Sequence, residues 1–318
     1  MIALIERINL LAVKWADAMS AVFWQAALLA VAVGVVCWAL RRQSPNLRHW
    51  IWLILAAKLL VLPFWSVEIP LPILQSPTPV QAEAPPRVAV DAASSTAVEQ
   101  REQPAGLEPA NIPSRTPPWY AGITWQSWLL LLWAVAVVFE IGRTAWQYAQ
   151  LRKLLTAARS VDEAVETLVA DCARTLGLSS PPAVKQVAVD GSPLVCGPLR
   201  PVLLLPASHA QRFDAASLRQ VVLHELAHLR RRDLLTIWVF HAMRTIYWFH
   251  PMAHWIAYRA GLDRELACDQ LAMNYSGASP AAYARTLIHA AGRSTQPLVL
   301  SAAGVAQLDG GERMEVRE

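Results

Sequence analysis

The sequence predicts a membrane-anchored α+β protein, mostly helical, in which transmembrane helices precede a small domain with a short sheet. Three observations carry this expectation. The 318 residues are 55% hydrophobic and include 14 tryptophans, more apolar than an ordinary soluble enzyme, for which about half is usual. The excess is gathered into long segments, as membrane spans require. Finally, the string His224-Glu225-Leu226-Ala227-His228 lies in a run, Leu218 to Leu235, whose apolar residues recur at helical spacing.

The first apolar segment, Trp15 to Leu40, is flanked by Lys14 and Arg41-Arg42 and is uninterrupted from Ala26 to Leu40. It exceeds the roughly 20 residues that cross a bilayer. Its apolar core is longer than a signal peptide's and no convincing small-x-small cleavage site follows before Arg41, so it reads as an uncleaved anchor. Trp50 to Val67 is a second candidate span and Trp125 to Ile141, ending at Arg143, a third. Lys58 sits inside the second. It is expected either to pair with Asp17 or Glu140, as a coupling element within the helix bundle, or to snorkel toward an interface. Arg41, Arg42 and Arg48 follow the first span, and Arg143, Arg152 and Lys153 the third. Basic flanks stay on the cytoplasmic side, which places everything after the third span there as well.

Half of the 22 prolines fall between Pro70 and Pro118, in a stretch too polar to order itself by burial. It is expected to be an external loop, residues 68–122. The organisation is then a membrane anchor over 1–142, a cytoplasmic-facing domain over 143–293 and a weakly patterned tail over 294–318. Within the domain, Tyr148 to Gly177 reads as helices, and Val184 to Val189 and Val195 to Leu205 as strands. Asp214 is the expected cap of a helix beginning near Leu218. Leu234 to His250 is strongly apolar, but His241 and Arg244 interrupt it, so a helix packed in the core or at the membrane interface is expected rather than a fourth span. A last helix closes the domain at Tyr275 to Ala291, capped at Ser279.

Residues four apart share a helix face, so His224 and His228 can present two imidazoles to one Zn²⁺, with Glu225 beside them as a proton acceptor. Glu265 and Asp269, again four apart, offer a third ligand and a carboxylate for a ligand histidine's other nitrogen. Two histidines and a glutamate leave the fourth tetrahedral position open, as catalytic rather than structural zinc sites do. Asp233 is a further carboxylate near the site, with an ion pair to Arg230-Arg231-Arg232 as its simpler reading. His250 and His254 are candidate donors to an oxyanion. Cys37, Cys172, Cys196 and Cys268 show no CxxC spacing, and Cys268 reads as a small packing residue. A net charge of +4 without an aromatic-interleaved basic stripe gives direct nucleic-acid binding little support. The arginine run instead suits anionic lipid heads.

The HELAH string, followed 37 positions after its last histidine by Glu265-Leu266-Ala267-Cys268-Asp269, with Trp248-Phe249-His250-Pro251 between, resembles the membrane-embedded metallopeptidases of bacterial β-lactam sensor-transducers and their antirepressor relatives. The resemblance is dense from Ser192 to about Arg293. It implies a gluzincin-like zinc peptidase domain, a protein substrate such as a cytosolic transcriptional repressor or the enzyme itself, and a home in the bacterial cytoplasmic membrane. By the same resemblance Ser192 to Pro206 would be an edge strand receiving substrate, with Val202, Leu203 and Leu204 as its binding residues, although these could equally pack the core. No Ser-x-x-Lys acylation motif occurs, so the expectation is either a truncated or short family member or a signal that arrives through a partner or the external loop. A housekeeping membrane protease and a non-cutting scaffold are the alternatives. The retained Glu225 speaks against the scaffold, because holding zinc needs no proton acceptor.

Overall fold

The computed structural model describes residues 2–61, 122–188 and 191–291. The expected loop and tail, the end of the second apolar segment and residues 189–190 lie outside them. Three helices open the chain: α1 (Ile2–Ala39), α2 (Pro45–Val61) and α3 (Trp125–Ala157). After α4 (Glu163–Thr175) come β1 (Ala183–Val187), β2 (Leu194–Cys196) and β3 (Val202–Pro206). The helices α5 (His209–Arg212), α6 (Ala215–Arg231), α7 (Asp233–Ile246), α8 (Pro251–Ser276) and α9 (Pro280–Ala291) complete the described fold.

Among the described residues two helices, α1 and α3, are long and apolar enough to cross a membrane. Both carry rows of exposed large apolar residues, such as Trp24, Leu28 and Val31 on α1 and Val135, Val138 and Phe139 on α3. Three spans were expected. α2 has only 17 described residues, and Trp52, Leu55, Ala56 and Leu59 are buried against other helices. Lys58 is exposed, and Glu140 pairs with Arg143 at 2.7 Å rather than with it. α3 also runs through Arg143 without a break. Asn9 accepts from Ser127 (2.8 Å) and from the Thr124 N–H (3.2 Å), tying the start of α3 to α1.

Two apolar cores meet at the helices that matter for chemistry. One joins Val169, Cys172 and Leu176 of the α4 region to Leu203 and Leu205 of β3 and to Leu218, Val222 and Leu226 of α6. The other joins Val22, Ala26 and Ala30 of α1 to Trp52 and Leu59 of α2, Phe240 and Met243 of α7, and Ala253, Ile256 and Ala260 of α8. α8 contributes Ala272 to the first core and its N-terminal half to the second, so it bridges them.

The sheet order is β1-β3-β2, with β1 parallel and β2 antiparallel to β3. Val202, Leu203 and Leu204 therefore lie in the central strand, not at an edge. Their backbone groups are spent on both neighbours, and Leu203 and Leu204 are buried. The expectation that they receive a substrate backbone is corrected: β2 is the edge beside α6.

Candidate metal centre

The helix α6 starts where its sequence asks. Asp214 caps it, accepting from the Ser217 N–H at 2.8 Å and so satisfying one of the free donors of the first turn. The buried stripe Leu218, Val222 and Leu226 turns the opposite side, with His224 and His228, toward α8. Arg232 then ends α6 and begins α7 in the left-handed region (φ 59°), the one non-glycine residue with positive φ among those described. This turn carries Asp233 back beneath His228.

The two imidazoles and Glu265 converge. Glu265 Oε2 lies 3.5 Å from His224 Nε2 and 3.7 Å from His228 Nε2, and the three ligand atoms all fall within 4.8 Å of one another. Ligand bonds of about 2.0–2.1 Å at tetrahedral angles would put neighbouring ligand atoms roughly 3.3 Å apart, so the donor set fits zinc with little adjustment. Each imidazole is oriented from behind. His224 Nδ1 sits 2.9 Å from Asp269 Oδ1, and His228 Nδ1 2.9 Å from Asp233 Oδ2. A proton held on each Nδ1 by its carboxylate leaves the Nε2 lone pairs for a metal. Asp233 Oδ2 also accepts from Arg231 Nε (3.1 Å), so one carboxylate oxygen contacts both the imidazole and an arginine of the run. Arg264 grips the other oxygen of Glu265, Oε1, at 2.9 Å.

Glu225 lies against β2, where its Oε2 accepts the Val195 N–H at 3.1 Å. Burial pushes its carboxyl above the usual range, with the two nearby imidazoles pulling the other way. Two participants were not foreseen in their roles. The buried Tyr283 of α9 donates to Asp269 Oδ1 at 3.0 Å and lies 3.2 Å from His224 Nδ1, a position no local spacing signals. Cys268 Sγ approaches Asp233 Oδ2 (3.2 Å) and His228 Nδ1 (3.3 Å). His228, Asp233 and Cys268 form a second group close enough for an ion. Burial and the Asp233 charge push the Cys268 thiol upward, so it stays a protonated donor to Asp233 rather than a thiolate ligand.

His250 and His254 do not join the site. His250 caps α8, its Nδ1 accepting the Met252 N–H, and its Nε2 meets Phe23 O at 3.1 Å. His254 Nε2 contacts Trp248 O at 2.9 Å. Both sit near the start of the helix that carries Glu265, and at ~1.5 Å per residue His254 is roughly 16 Å from it along the axis and His250 roughly 22 Å.

A family profile described as BlaR1 peptidase M56 matches residues 20–314 of this chain. The chain belongs to the BlaR1 peptidase M56 family. Over 92 residues it is 33% identical to the Regulatory protein BlaR1 of Bacillus licheniformis, which covers 29% of this chain and 14% of that protein. Over 73 residues it is 27% identical to the Regulatory protein BlaR1 of Staphylococcus aureus, covering 23% and 12%. The chain thus spans less than a sixth of either curated relative's length in these matches. M56 membership makes the HELAH helix and the α8 carboxylates the natural place to look for a metallopeptidase centre.

The electrostatics give a measurable consequence. Burial opposes charging His224, but Asp269 and Glu265 outweigh it and push its pKa up to about 10. Glu265 is held well below the usual carboxylate range: burial works against this, while His224, His228 and Arg264 prevail. The metal-free site therefore keeps a proton on His224 through neutral pH, and a metal must displace it. Apparent zinc affinity is expected to rise roughly tenfold per pH unit below that value, with one proton released per zinc. Because the folded-state pKa is raised, that proton also stabilises the metal-free fold, fully below about pH 6.5, and this contribution fades as pH climbs through about 10. Calorimetric titration in buffers of different ionisation enthalpy would read the released proton, and an affinity flat with pH would contradict this charge state.

Proposed function

We propose that this M56 protein is an integral-membrane zinc metalloendopeptidase of regulatory type, cutting a cytosolic repressor-like protein or itself. The observation that carries the reading is the convergence of His224, His228 and Glu265 with Glu225 poised between them and the edge strand β2. Zinc held by the three side chains would act as a Lewis acid toward water and a peptide carbonyl. Glu225 takes the proton of the attacking water and passes it to the leaving amine. The Asp269 and Asp233 carboxylates keep both imidazoles in the ligating tautomer, and Tyr283 fixes Asp269. An extended substrate segment lies along β2, whose outer side already presents the Val195 N–H to Glu225.

The cytoplasmic placement rests on the basic residues after α1. Arg48, one of them, is buried against Asp263 on α8 at 2.7 Å, two residues before Glu265. Whichever side of the membrane takes that basic connection therefore takes the metal centre too, and positive residues favour the cytoplasm.

The test uses membranes containing the full chain and the regulator encoded beside its gene. Discrete regulator fragments are expected with zinc, none after chelation with phenanthroline, and fragments again once zinc is restored. Zinc-dependent cleavage of many unfolded membrane proteins, with the regulator intact, would replace the regulatory role with quality control. No cleavage of any protein by the zinc-loaded chain would leave the scaffold reading.

A further inference from the structure

On the side of the α6–α7 junction facing α2 lies a groove of about 690 Å³, and its wall carries Arg230, Arg231 and Arg232. Among the described residues none that lines it is acidic. Trp50 and Leu235, both roughly half exposed, form its apolar lip. Trp50 also belongs to an exposed apolar stripe on α2, with Leu47 before it and Ile54 and Val61 after it. These positions share one helix face. The groove therefore opens at the head of a lipid-suited stripe, close to where α1 ends. There Arg41 stacks on Trp38 at 4.9 Å, a pairing suited to a membrane–water boundary.

We propose that this groove is a binding site for the phosphate headgroup of an anionic glycerophospholipid, whose acyl chains run down the α2 stripe. The inference rests on the proposed membrane placement but not on peptidase activity. Arg230 and Arg232, with Arg231 paired to Asp233 behind them, match a phosphate monoanion. An apolar stripe leading directly from them matches its tails and favours a lipid over a soluble anion. Arg231 also bonds Asn46 of α2 and Asp233, which holds His228. A headgroup drawing on Arg231 therefore sits one hydrogen bond from the support of a proposed zinc ligand.

The test is native mass spectrometry of the full chain in neutral detergent, titrated with phosphatidylglycerol, with phosphatidylcholine of equal acyl length, and with inorganic phosphate. The first phosphatidylglycerol is expected to bind at least tenfold tighter than phosphatidylcholine. Arg230→Gln combined with Arg232→Asn is expected to weaken it roughly 25-fold, about fivefold for each arginine near a headgroup. Asparagine tolerates the left-handed backbone at 232, so the turn survives. Arg200→Gln, exposed on the β2–β3 connection, is expected to change nothing. Equal affinity for the two lipids, or an unchanged double variant, overturns the assignment. So does displacement of the lipid by equimolar phosphate. Zinc content read in the same spectra is expected to stay at one per chain with or without lipid, so failure of the lipid site and failure of the metallopeptidase reading give different results.

Discussion

Replacing Glu225 with glutamine is expected to lower the rate of regulator cleavage by about a thousandfold, within the 10²–10⁴ range for loss of a positioned acid–base group, while the chain still binds one zinc. A thousandfold corresponds to about 4 kcal/mol of barrier. The substitution is nearly isosteric, and the amide oxygen can still accept the Val195 N–H that Glu225 accepts now at 3.1 Å. What the amide cannot do is take a proton from water. Metal binding should survive, because the ligating atoms belong to His224, His228 and Glu265. Paired measurements of zinc content and single-turnover cleavage separate the two effects. Glutamine at 225 with more than a tenth of wild-type rate would move the proton acceptor elsewhere.

The largest stability effect is expected far from the reacting atoms, at Asp263. Its Oδ1 accepts from Arg48 Nε at 2.8 Å and pairs with Arg48 Nη2 at 2.7 Å, and its Oδ2 accepts from Trp52 Nε1 at 3.1 Å. Asp263 and both of its partners are buried. Asp263→Ala strands the Arg48 charge with, among the described residues, the Arg41 and Gln43 carbonyls as its remaining hydrogen-bond partners. An uncompensated buried charge of this kind costs about 3–5 kcal/mol, a fall of roughly 10 °C in melting midpoint for a chain of this size. Replacing both partners at once, Arg48→Met with Asp263→Leu, is expected to recover most of the loss, since apolar isosteres remove the stranded charge. Thermal unfolding of wild type, Arg48→Met, Asp263→Leu and the double variant in the same detergent completes the cycle. Single variants that melt with the wild type would show that α2 and α8 are held by apolar packing alone.

Local chemistry was legible in the sequence and long-range assembly was not. The Asp214 cap of α6, the shared face of His224 and His228, and the i, i+4 pair Glu265 and Asp269 all follow from helical patterning over a few residues, whereas the run Leu218 to Leu235 gave no sign of the break at Arg232. The Ser279 start of α9 follows from a serine before a proline. By contrast, the central position of β3 depends on a parallel partner some twenty residues upstream, and its run of leucines reads alike at an edge or in the middle. Tyr283 reaches His224 across 59 residues, and Arg48 reaches Asp263 across 215. No spacing rule spans such gaps. His250 and His254 misled because a histidine before Pro251 suits a helix cap as well as a catalytic donor, and only the direction of α8 decides between them.

One backbone angle governs how the His228 support could be transplanted. Five residues along an uninterrupted α-helix advance about 140° beyond a full turn, which would carry position 233 round toward the back of the cylinder, away from the imidazole it now touches. The left-handed geometry at Arg232 cancels that rotation. An engineer moving this motif into a longer, straighter helix would keep every letter from 224 to 233 and still lose the carboxylate behind the second histidine, unless the kink travelled with it.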